Sequence, residues 1–368
     1  MVSLPFQLDV IARELEGSPV IALDTESNSF YHYPEQLCLI QIASLDKIYI
    51  IDTISLYDLA SLRNVLADVS IQKVVHAADY DIRSLDRHCG LHIHSLFDTS
   101  IAARFIGITK FGLAALIEDL LGITINKSKR LQRADWGRRP LSAEALEYAA
   151  TDVRHLFALR DILDQRLRAL GRTAWVAEEC ARTEQIRYTA PNLETAYLSV
   201  KGARDLDGRG LAVLQSLFLF REEESQRWHR PPFMVLPDAA LVFLATSPGV
   251  HLSEVPGLGQ TGLKRFGQGL QQALHKGITA PPIQRPRPVR AVRSTEEQVR
   301  RLSRLKEWRS SLGSGLSLDP SLLWPLISLT RLARAPDTLS VELTSDEIRH
   351  WQRDVVAPSL QAYLKSLQ

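Results

Sequence analysis

The run Val20-Ile-Ala-Leu-Asp24-Thr25-Glu26 limits what this chain can fold into more than any other stretch. Apolar residues carry a strand into a core, and two carboxylates follow with no turn between. Residues i and i+2 of a strand point to one face, so Asp24 and Glu26 are expected side by side at the end of a buried strand. Two like charges that close repel unless something compensates them, and a divalent metal suits the place. A strand that simply runs into an acidic surface turn has the same pattern, so further acids are needed to choose.

Composition narrows the search. The chain has 368 residues, with 45% apolar and 23% charged, which is the balance of a soluble globular protein of two or three domains. No apolar run reaches the length of a membrane span, and the N-terminus lacks the basic-then-apolar pattern of a secretory signal. A cytoplasmic protein without membrane association is expected. Cys38, Cys89 and Cys180 are scattered without Cys-x-x-Cys spacing, against zinc or redox chemistry and for reduced thiols. A net charge of +2 is too mild to imply nucleic acid by itself.

Residues 8–17 carry helix-period apolar positions. Residues 27–36 read as a polar, aromatic turn, and 37–43 and 47–51 as strands, so the sheet begins with three antiparallel strands on short links. A helix over 55–69, a strand over 73–77, a helix over 80–89 closed by Gly90 and helical pattern over 107–124 follow. That alternation predicts an α/β domain, a mixed sheet flanked by helices. Residues 126–140 are basic, with Lys127, Lys129, Arg130, Arg133, Arg138 and Arg139 against Asp135. Such a loop is either solvated or in contact with phosphates. Ser142 then N-caps a helix on which Tyr148 and Asp152, four residues apart, share a face.

Taken in order, these residues resemble the three exonuclease motifs of the DEDD superfamily, in the subgroup whose third motif is Tyr-x-x-x-Asp. The motifs are Leu23-Asp24-Thr25-Glu26, then His76-Ala-Ala-Asp79-Tyr80-Asp81-Ile82-Arg83-Ser84-Leu85 with Asp81 as the family's acid, then Tyr148-Ala-Ala-Thr-Asp152. Leu37-Cys-Leu-Ile-Gln41, Phe97-Asp98-Thr99 and Asp135-Trp136-Gly-Arg-Arg-Pro140-Leu-Ser142 resemble segments of the ribonuclease D branch. The resemblance implies a ribonuclease H-like nuclease domain over 1–170.

Residues 211–277 resemble an HRDC domain, expected over 205–278. A Pro- and Arg-rich linker over 279–295 follows, and a fainter repeat over 296–368 reads as a second HRDC module, so two all-α modules are expected behind the nuclease. Gly257-Leu-Gly-Gln-Thr-Gly262-Leu-Lys264 nearly spells a P-loop. An extra residue precedes Lys264, no Ser or Thr follows it, and no strand leads in, so a nucleotide triphosphate site is not expected.

The resemblance further implies two divalent cations, Mg2+ or Mn2+ given all-oxygen ligation. Asp24, Glu26 and Asp152 would surround one, Asp24 would bridge, Asp81 would support the second, and Tyr148 would hold the attacking water. It implies hydrolysis from a 3′ end that releases 5′-monophosphates, acting on RNA, tRNA precursors foremost, with no obligate protein partner. A DNA exonuclease and a non-catalytic RNA-binding protein are the competing readings. Tyr33, Lys127, Lys129, Arg130, Arg138 and Arg139 are candidate RNA contacts, and the arginine-rich run over 285–309 is another. His76 is expected as a satisfied core histidine, and Asp79 as a helix-start residue rather than a ligand. Ser27 departs from the branch, which places a large apolar residue after the motif-one Glu. That leaves open how the terminal nucleotide is gripped, with Phe30, Tyr31 and Tyr33 as nearby aromatics able to stack.

Overall fold

Helix α1 (Pro5–Glu16) opens with a proline in its first turn, where the missing N–H costs nothing because first-turn donors have no intrahelical partner. Strands β1 (Val20–Ser27), β2 (Leu37–Ala43) and β3 (Ile48–Asp52) follow and pair antiparallel, as their short links require. Helix α2 (Leu62–Ala67), β4 (Gln72–Val75), α3 (Asp79–Cys89), β5 (Leu96–Asp98) and α4 (Thr99–Phe105) then add two parallel strands, giving the order β3-β2-β1-β4-β5. These features belong to a computed structural model that describes residues 1–125, 128–285 and 294–367.

The central strand β1 pairs with β4 only through Val20, Ile21 and Ala22. Its next residues, Leu23 to Glu26, therefore have a strand neighbour on the β2 side alone. Two carboxylates emerge where the sheet opens, which is the place a strand end can offer ligands without burying them unpaired.

Helices α5 (Leu113–Leu121), α6 (Lys129–Gln132), α7 (Ala143–Arg154), α8 (Leu156–Ala169) and α9 (Thr173–Glu184) complete the domain. One face of the sheet packs on α7, with Leu39 and Ile50 against Trp136, Ala145 and Ala149. The other face joins the main core with α4, α8 and α9. The helix expected over 55–69 is confined to Leu62–Ala67, because the Asp52 and Asp58 carboxylates accept from the amides of Ile54 and Ala60 and hold a turn there. The body also continues past residue 170: Val176 and Cys180 of α9 lie in the nuclease core, and Glu184 accepts from the amide of Leu96 at 2.8 Å.

The helices Gly208–Trp228, Asp238–Thr246 and Gly259–Thr279 enclose a core of their own, including Leu211, Leu214, Leu241, Leu244 and Leu270. The C-terminal helices do not. Glu296–Leu316, Leu326–Arg334 and Ala357–Ser366 share the nuclease core. Trp351 stacks on Trp175 with centroids 4.9 Å apart, Arg349 pairs with Glu179 at 2.9 Å, and Arg172 donates to the carbonyls of Phe105 at 2.7 Å and Leu316 at 2.6 Å. Among the described residues no helix is long and apolar enough to cross a membrane.

Candidate active site

Asp24 and Glu26 share the face of β1 that α7 covers, and α7 brings Asp152 across to them. The helix starts where the sequence places it: the Ser142 hydroxyl accepts from the amide of Ala145 at 3.1 Å, an N-cap bond. One oxygen from each of Asp24, Glu26 and Asp152 lies within 4.8 Å of the others. The set is all carboxylate, so its chemistry fits a hard divalent cation of the magnesium or manganese kind.

Asp81, on α3, stands outside that group of three. Its carboxylate is buried and accepts from the Thr25 hydroxyl at 2.6 Å, so the middle residue of motif one holds the acid of motif two. Burial pushes the Asp81 carboxyl up to about 7, Thr25 pulls it down, and the nearby Asp98 raises it. Asp98 is the pin of this corner: it accepts from the amides of Ala77, Ala78, Ser100 and Ile101. It thereby caps α4 and holds the turn into α3, where Ala77 sits at φ 58°, a left-handed conformation that costs a residue with a side chain.

Tyr148 lies one turn before Asp152, its ring 5.9 Å from that of buried Trp136. Burial raises its phenol, and Asp152, Glu26 and Asp24 raise it further, so at neutral pH it keeps its proton and acts as a neutral hydroxyl. A cavity of about 340 Å³ opens beside Tyr148 and Asp152, lined also by Ser128, Leu131, Glu144 and His155.

His76 meets the Thr99 hydroxyl at 2.9 Å. Asp79 begins α3 and pairs with Arg83 at 2.8 Å. Ser27 sits at an irregularity in the β1–β2 register, its hydroxyl 2.5 Å from that of Tyr80, which also donates to Glu35 at 3.3 Å.

The candidate RNA contacts separate. Lys127 lies outside the described residues. Lys129, Arg130 and Arg138 are exposed, Arg130 in a surface pair with Glu144. Arg139 is committed elsewhere: it donates to Asp52 at 2.8 Å and to the carbonyls of Trp136 at 2.7 Å and Cys38 at 3.2 Å. Its fork is spent fastening the segment before α7 to the sheet, which removes it from the phosphate-contact set. Tyr33 donates to Glu222, on the helix Gly208–Trp228, and burial with that carboxylate raises its phenol. Tyr31 donates to the carbonyl of Arg133 at 2.8 Å, whereas Phe30 keeps an exposed ring. Of the arginine run, Arg285, Arg301 and Arg309 donate to backbone carbonyls within the helical region, while Arg287, Arg290 and Arg293 lie outside the described residues. Thr25, Asp98, Trp136 and Tyr80 had no role in the sequence reading, although all four stand inside quoted motifs.

Residues 1–168 match the family model for a 3′-5′ exonuclease, and residues 210–274 the model for an HRDC domain. Fold and site thus define a 3′–5′ exonuclease carrying an HRDC domain. Ribonuclease D of Desulfotalea psychrophila is 30% identical over 328 residues, 88% of this chain and 87% of its own. Ribonuclease D of Granulibacter bethesdensis is 31% identical over 355 residues, 95% and 88% of the two chains. The crystal structure of Escherichia coli RNase D, described as an exoribonuclease involved in structured RNA processing, matches with a TM-score of 0.75 and 26% identity over 100% of this chain and 98% of that one. The chain belongs to the ribonuclease D family of 3′–5′ exoribonucleases.

Proposed function

We propose that this exoribonuclease trims the 3′ ends of structured RNAs, tRNA precursors foremost, in the cytoplasm and without an obligate protein partner, releasing nucleoside 5′-monophosphates. The observation that carries the reading is the convergence of Asp24, Glu26 and Asp152 within 4.8 Å, with the Tyr148 hydroxyl one turn away. Asp24, Glu26 and Asp152 would hold one cation, and Asp24 with Asp81 a second, Mg2+ or Mn2+. Cations bound there lower the pKa of an attacking water and offset charge on the departing 3′ oxygen.

The chain's own residues do the rest. Tyr148, protonated, holds the water in line with the last phosphorus. The water oxygen bonds to that phosphorus as one water proton passes to solvent, the bond to the 3′ oxygen breaks, and that oxygen takes a proton from solvent, so the shortened RNA leaves with a 3′ hydroxyl. Lys127, Lys129, Arg130 and Arg138, from the basic stretch that precedes α7 in the chain, receive phosphates upstream of the cleaved bond. The HRDC domain, tied to the nuclease through Tyr33 and Glu222, and the C-terminal helices, a diverged second HRDC copy, hold the folded part of the RNA.

Incubation with Mg2+ and a 3′-tailed RNA hairpin tests this: nucleoside 5′-monophosphates should appear while the stem persists. A matched DNA tail measures the role of the 2′ hydroxyl, which alone separates the two substrates. Equal trimming of both, or intact RNA under Mg2+ and Mn2+ alike, overturns the RNA assignment.

A further inference from the structure

Gln41 is fully buried on β2, and neither its Nε2 nor its Oε1 finds a hydrogen-bond partner among the described residues. In the antiparallel ladder its Cα partner is Asp24 on one side and Ile50 on the other. Residues directly opposite in such a pair project to the same face, with Cβ atoms about 4.5–5.5 Å apart. The packing agrees: Ile50, and Leu39 opposite Glu26, lie in the layer beneath α7, whereas Ile40 and Ile42, the residues flanking Gln41, face the main core. Gln41 therefore shares a face with Asp24.

A primary amide offers two donors and an acceptor. Enclosing one with all of them unmet is costly, and a methionine or leucine would fill the same space at no such cost. A second group in the same layer has the same need: Trp136 Nε1, on a side chain 1% exposed, also lacks a partner among the described residues. Buried polar groups left over by the protein are met by enclosed water, which takes two to four polar neighbours.

We propose that Gln41 is a positioning residue for Asp24, its amide holding an enclosed water beneath α7 that donates to the Asp24 carboxylate and fixes which oxygen is turned to the cation. Trp136 Nε1 donates to the same water and keeps it in place. Groups behind a metal ligand set its orientation and its affinity in this way. The inference rests on the reading of Asp24 as a cation ligand.

Calorimetric titration of Mn2+ into the RNA-free full chain tests it, with wild type, Gln41→Met and Asp24→Asn, alongside melting in EDTA. Gln41→Met should melt in EDTA at or above the wild-type temperature and bind Mn2+ about 10-fold more weakly, with kcat reduced and KM for RNA unchanged. Wild-type Mn2+ affinity in Gln41→Met overturns the proposal and leaves the ligand reading standing. Unchanged affinity in Asp24→Asn overturns the ligand reading itself. Should Gln41→Met fail to fold, a high-resolution crystal structure of the wild type decides: ordered water joining the Gln41 amide to Asp24 supports the proposal, and an amide bonded to protein atoms alone defeats it.

Discussion

The Thr25 hydroxyl donates to the Asp81 carboxylate at 2.6 Å, joining two acid-bearing motifs that lie 56 residues apart in the chain. Thr25 points away from the face that carries Asp24 and Glu26, since neighbours on a strand alternate. The middle residue of motif one is thus a support for the second acid, which burial alone would keep protonated.

Thr25→Val keeps the shape and loses the bond. A hydrogen bond to a charged group is worth about 1.5–3 kcal/mol, or about one to two pKa units. The acid limb of the kcat/KM profile should therefore move up by about one unit, and the rate at pH 7, near the Asp81 value of about 7, should fall about 5-fold. Thr25→Ser should retain the wild-type profile. An unmoved limb in the valine variant would separate Asp81 from the titration.

Asp81 also predicts how the metal-free protein responds to pH. Its folded value near 7 lies above the ordinary 3.8, so folding favours the protonated form. That contribution is complete below about pH 4 and is lost as pH rises toward 7 and beyond. In EDTA, Asp81→Asn should melt progressively higher than wild type between pH 5 and pH 8, and Mg2+ should close the gap by compensating the wild-type charge. A gap independent of pH would show that the carboxylate is already charged throughout.

The two arginines that end the basic segment should part company. Asp52 is 2% exposed and Arg139 22%; burial pushes the Asp52 carboxyl up and Arg139 more than offsets this, leaving it below its usual range. Arg139→Ala strands that carboxylate and should cost about 3 kcal/mol in urea unfolding, and Arg139→Lys, which lacks the planar fork, should recover only part. Arg138→Ala should leave stability unchanged, raise KM and lower the salt slope of RNA binding by about one.

What the sequence made legible were features set by local spacing. Asp24 with Glu26 is an i,i+2 strand pair, Tyr148 with Asp152 an i,i+4 helix pair, and Ser142 a cap three residues from the amide it accepts, so each follows from backbone geometry. The nuclease sheet followed likewise from three short-linked apolar runs. Partners distant in the chain were not legible. Arg139 reads as one more cation in a basic stretch until Asp52, 87 residues earlier, arrives beside it, and Tyr33 reads as a loop aromatic until Glu222, 189 residues on, accepts a hydrogen bond from its hydroxyl. The C-terminal helices show the same limit: their apolar pattern is that of a helical module, but only the contact of Trp351 with Trp175 and Phe105 reveals that they complete the nuclease core.

Tyr148 offers the sharpest division between orientation and proton transfer. Its phenol is held above its ordinary value, by burial first and then by Asp152, Glu26 and Asp24, so it serves as a neutral hydroxyl across the working range. Tyr148→Phe keeps the ring against Trp136 and removes only that hydroxyl. Mn2+ affinity and melting temperature should stay at wild-type values, because the phenol is not one of the three converging carboxylates proposed to hold the cation. The turnover rate should fall about 100-fold, the order of loss seen when one positioned hydrogen-bonding group is removed from a transition state. The remaining activity should keep the wild-type pH profile below pH 9, since no proton leaves Tyr148 there. A variant that lost its basic limb instead would make the phenolate the base, and one that turned over normally would leave the water to be held by the carboxylates alone.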